Sequence, residues 1–66
     1  MSYTNAEKLR ELEREIGYRE KVFTRMVAEG RLDPNQARRR MSIMREIAAD
    51  YVKLVEQDEP RLTIGD

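Results

Sequence analysis

Apolar residues along this chain recur at alternating intervals of three and four, the period of an α-helix that turns one face to a core. In the first half, Leu9, Leu12, Ile16, Phe23 and Met26 keep that spacing and Arg19 interrupts it, while Val22 and Val27 widen the stripe toward its end. In the second half, Ala37, Met41, Met44, Ala48, Tyr51 and Val55 run at intervals of 4, 3, 4, 3 and 4 without a break. The pattern predicts an all-α fold in one unit, residues 1–66. Helix 1 is expected over about 5–29, a turn over 30–33, helix 2 over about 34–58 and a loose tail over 60–66.

Local signals set these boundaries. Thr4 with Glu7 three residues on fits a capping box, in which hydroxyl and carboxylate each satisfy a backbone amide that the first turn leaves free. Gly30 lacks the Cβ that makes a positive φ costly, so it is suited to closing helix 1. Asp33, Pro34 and Gln36 form a second start signal: a capping carboxylate, a residue with no amide to leave unpaired, and a second box partner. Pro60 disfavours helical geometry at the residue before it and is expected to end helix 2.

Two helices of about 24 residues, each roughly 36 Å long at 1.5 Å per residue, joined by a short turn, must fold back as an antiparallel hairpin. With the turn centred on Arg31 and Leu32, facing residue numbers sum to 63 or 64. Phe23 then meets Met41, Ile16 meets Ala48 and Leu12 meets Tyr51, large side chains opposite smaller ones in most layers.

Helix 2 carries a second stripe, Ile43, Ile47 and Leu54, wider than one partner helix can cover. A chain of this length buries only about 60% of the surface its unfolded form exposes. The expectation is a homodimer, two hairpins closing a four-helix bundle with coiled-coil-like packing, with Met41, Ile43, Met44, Ile47, Tyr51 and Leu54 at the dimer or partner interface. Gly17, inside helix 1, is expected to mark a close helix approach or a slight bend. Arg19, in the seam, is expected to reach the edge or to pair with Glu46 or Asp50.

Composition narrows the chemistry. With no cysteine and no histidine among 66 residues, the chain has no disulfide, no thiol nucleophile, no imidazole base and none of the usual zinc-finger ligand sets. Phosphate-binding glycine loops and nucleophile elbows are absent from the sequence too. A non-enzyme without metal or cofactor is expected. No apolar run approaches the roughly 20 residues of a membrane span, and the N-terminus lacks a secretory layout, so a cytoplasmic location follows as an expectation.

Thirteen bases balance 13 acids, but the zero conceals a gradient. Residues 17–45 hold eight bases against three acids, a net of +5, and the remaining residues hold the compensating −5. The rod therefore has a basic turn end and an acidic open end, and head-to-tail pairing of two hairpins would set each beside its opposite. Lys21, Arg25, Arg31, Arg38, Arg39 and Arg45 are candidates for a patch that meets an anionic partner, nucleic acid included. Aromatic platforms for single strands are lacking in that half, where Tyr18 and Phe23 are the only rings.

The stretch Glu13-Arg14-Glu15-Ile16-Gly17-Tyr18-Arg19, the turn Met26-Val27-Ala28-Glu29-Gly30-Arg31-Leu32 and the segment Met44-Arg45-Glu46-Ile47-Ala48-Ala49-Asp50-Tyr51 resemble a group of short helical proteins encoded by tailed phages and prophages. The resemblance covers roughly residues 13–52. It implies a protein that acts by binding, either modulating or inhibiting a host factor or regulating nucleic acid as a small dimeric hairpin. The expected function is thus a non-catalytic protein-binding module, with a nucleic-acid-binding regulator as the alternative.

Overall fold

The computed structural model describes residues 2–58. Helix α1 spans Asn5–Ala28 and helix α2 spans Pro34–Asp58, and the two pack against each other along their length. The expected stop at Pro60 and the tail over 60–66 lie outside the described residues.

Each boundary has a local cause. At the start of α1, Thr4 is extended, with φ −72° and ψ 161°. Its hydroxyl accepts from the Glu7 amide at 3.0 Å, and its own amide donates to Glu7 Oε1 at 2.9 Å, so both halves of the box form. At the other end Glu29 caps the helix and Gly30 takes φ +73°. That left-handed residue lets the Arg31 amide donate to the Met26 carbonyl at 2.8 Å and the Gly30 amide to the Val27 carbonyl at 3.0 Å. These two bonds are the pair that defines a Schellman closure. At the start of α2, Asp33 accepts from the Gln36 amide at 3.1 Å through its carboxylate and from the Ala37 amide at 2.9 Å through its carbonyl.

The core is small. Phe23, Ala37 and Met41 are buried at 7%, 9% and 6% exposure, with Ile16, Val22, Met26, Val27 and Leu32 packed around them. Phe23 and Met41 thus meet as the facing-number rule requires, near the turn, where the chain reversal forces the helices together. Toward the open end, Leu9, Leu12, Met44, Ala48, Tyr51 and Val55 are half-buried. No described side chain is completely buried. Fully burying one Phe contributes about 2–3 kcal/mol, so a core of three such positions is thin for a free-standing domain.

Contacts outside the core fix the register. Asn5 donates its side-chain amide to Asp58 at 2.8 Å across the open end. The Arg40 guanidinium lies 4.9 Å from the centre of the Phe23 ring, and Arg45 pairs with Glu20. The partners' numbers sum to 63 in the first two cases and 65 in the third, as antiparallel helices of equal rise demand.

Two sequence expectations are narrowed. Of the two readings of Gly17, the close helix approach is overturned, because a Cβ built there would meet nothing within 4 Å. Arg19 reaches the edge, as one of its two readings expected, and there it pairs through Nε with Glu15 Oε1 at 3.4 Å, one turn back on its own helix, and not with Glu46 or Asp50. A residue four positions away on the same helix is nearer to a guanidinium than a carboxylate across the seam.

Candidate functional site

Two surface features remain once the hairpin is closed: an apolar face on α2 and the basic half near the turn. The apolar face follows from the 3.6-residue repeat. Ala37 and Met41 point into the seam, so Ile43, Ile47 and Leu54 fall roughly 80–120° around the helix and stay outside it. They are 47%, 42% and 38% exposed. Met44 and Tyr51 lie between the two sets and are half-buried. Of the six interface candidates, five therefore line a continuous strip along α2. Met41 does not belong to it: at 6% exposure it is held between the helices against Phe23.

On that side of the hairpin α1 presents mostly charged residues, with Glu15 and Arg19 closing on each other. The opposite flank holds a shallow cleft of about 490 Å³ near the turn, with Phe23, Val27, Ala37 and Met41 as its floor. Arg38 and Arg45 stand on its rim, and Arg45 is tied to Glu20 there. Thr24, also on the wall, donates its hydroxyl to the Glu20 carbonyl at 2.8 Å.

The basic half is not a single patch. A residue two positions from a seam residue is turned about 200° away from it. Lys21 and Arg25, each two from Phe23, therefore face outward on α1, and Arg39, two from Met41, faces outward on α2. The hairpin separates them, so Arg39 does not join Lys21 and Arg25 as the sequence suggested. Arg31 pairs with Glu29 at 3.3 Å, and Arg38 donates to the Asn35 side chain. Arg38 and Arg45, seven residues apart, do share a flank, that of the cleft.

Sequence reasoning missed Arg40, which covers the edge of the core by stacking on Phe23. The signal was available, because 23 and 40 sum to 63, but a run of three arginines reads first as a solvated charge cluster. Also missed was the Asn5–Asp58 clasp.

Among the described residues no helix is long and apolar enough to cross a membrane, and no group of carboxylates is placed to hold a metal ion. The chain matches no family model, and comparison with curated proteins and with solved structures gives no match to either.

Proposed function

We propose that this chain is a non-catalytic protein-binding module, with α2 as its binding element. The observation that carries this reading is the row Ile43, Ile47 and Leu54, 47%, 42% and 38% exposed on a hairpin with only three buried residues among those described. Apolar side chains in line along one helix, beside so thin a core, are best accounted for by a second helical surface that covers them. The assembly we favour is a homodimer in which two hairpins close a four-helix bundle. The resemblance to short phage-encoded proteins adds a direction: a host factor, bound and modulated or inhibited by the assembled module.

Sedimentation equilibrium at tens of micromolar tests the assembly, with a dimer mass expected. A monomer at every concentration would overturn it. An affinity capture from host lysate, with Ile47→Glu as the control, tests for the heterologous partner.

A second reading rests on the +5 net charge of residues 17–45. In it, Arg38, Arg39 and their neighbours contact phosphates, and affinity falls steeply with salt. Changing Arg38, Arg39 and Arg40 to glutamine would abolish such binding; wild-type protein that retains no random DNA or RNA at low salt eliminates this reading.

A further inference from the structure

The homodimer reading leaves open how the two copies lie, and α2 itself supplies an answer. The helix carries two interleaved seams. The inward one runs through residues 37, 41, 44, 48, 51 and 55. The outward one runs Arg40, Met44, Ile47, Tyr51, Leu54 and Asp58, at intervals of 4, 3, 4, 3 and 4. Met44 and Tyr51 belong to both.

The outward set has two properties that bear on alignment. Its spacing is a palindrome, so it reads the same in both directions and fits its own copy in an antiparallel pairing. Its ends carry opposite charges, Arg40 and Asp58. In a parallel pair each residue meets its own copy, which sets arginine against arginine and aspartate against aspartate. In an antiparallel pair Arg40 meets aspartate at both ends.

We propose that a second copy of this chain packs antiparallel along α2, with Arg40 opposite the partner's Asp58, Met44 opposite the partner's Leu54 and Ile47 opposite the partner's Tyr51. The proposal rests on the homodimer reading above and specifies its geometry. Neither end residue has to leave its present contact. Asp58 uses Oδ2 toward Asn5 and keeps Oδ1, and the contact of Arg40 with Phe23, at 4.9 Å from the ring centre, uses none of its five N–H donors in a hydrogen bond to the ring.

The chain has no cysteine, so Arg31→Cys supplies a single labelling site at the turn. Nitroxide labels there should lie about 50 Å or more apart by pulsed dipolar spectroscopy, because this register sets the two copies of position 31 about 36 residues apart along the axis at 1.5 Å each. A dimer mass with labels within about 20 Å would overturn the alignment and leave the homodimer standing; a monomer mass would overturn both. Charge exchange checks the register. Arg40→Glu and Asp58→Arg should each weaken association roughly tenfold at low salt, and the double variant should restore most of it. Restoration cannot come from the intramolecular contacts, which the double variant loses as fully as the singles do. A double variant no tighter than either single would overturn the register.

Discussion

Asn5 and Asp58, separated by 53 positions in the chain, meet across the open end of the hairpin, the amide donating to the carboxylate at 2.8 Å. Asp58 sits at the C-terminus of α2, where the helix dipole disfavours a negative charge, yet the fold places it beside the N-terminus of α1, where the dipole favours one. One bond thus joins the first residue of α1 to the last of α2. Asp58→Ala should fray this end and cost about 1 kcal/mol, since an exposed bond to a charged group contributes little more. Amide exchange should accelerate at both helix ends near the clasp and stay unchanged around Phe23. Uniform acceleration over the whole chain would mean that the clasp holds the global fold.

The glycines at 17 and 30 should respond in opposite directions to the same substitution. Gly17 lies inside α1 with open space where a Cβ would go, so Gly17→Ala should stabilise the helix by up to about 1 kcal/mol. Gly30 holds φ +73° and the two bonds that close α1, so Gly30→Ala should destabilise by about 1–2 kcal/mol. Thermal unfolding of the two variants beside the wild type checks the pair. A destabilising Gly17→Ala would reveal that another molecule approaches α1 at that point.

Phe23 and Arg40 share one contact but not one role. Phe23 is the largest buried side chain, and Phe23→Ala should remove about 3–5 kcal/mol, enough to unfold a hairpin with so little other core. Within one hairpin Arg40→Ala removes the cation 4.9 Å from the ring centre and should cost about 0.5–1 kcal/mol, apart from any loss of the proposed contact with the partner's Asp58. Far-ultraviolet circular dichroism should show the first variant largely unfolded at room temperature and the second folded with a lower midpoint.

The helices and their register were legible because each rests on short-range chemistry: Thr4 with Glu7, Asp33 with Pro34, Gly30, and a seam of six positions in α2. Once the turn is placed, equal rise along both helices determines which residues face each other. Arg19 reaches the edge as one of its two readings expected, but its carboxylate was not legible, because position in the three-four pattern says where the Cα lies while the long side chain follows the nearest carboxylate, here Glu15. Met41 was read both as a seam residue facing Phe23 and as an interface residue, and its burial against Phe23 keeps it in the seam. That Arg38, Arg39 and Arg40 cannot share one face was legible without the structure, since neighbours in sequence diverge by about 100° each on a helix.

The role of the α2 face can be separated from general apolar exposure by comparing two residues of similar accessibility. Ile47 and Val52 are 42% and 39% exposed, but five positions on a helix place them about 140° apart. Ile47 lies on the strip with Ile43 and Leu54, and Val52 lies on the other flank of the seam. Each copy in a symmetric dimer would bury its own Ile47, so Ile47→Glu should weaken association at least a hundredfold, about 3 kcal/mol over the two sites. Val52→Glu should leave the association constant within a factor of about two. The unfolding midpoint of the wild type and of Val52→Glu should rise with protein concentration, because a partner that binds only the folded state stabilises it by mass action. Ile47→Glu should lose that concentration dependence. Equal weakening by both substitutions would mean that the whole circumference of α2 is covered, and weakening by Val52→Glu alone would move the interface to the flank of Arg38 and Arg45.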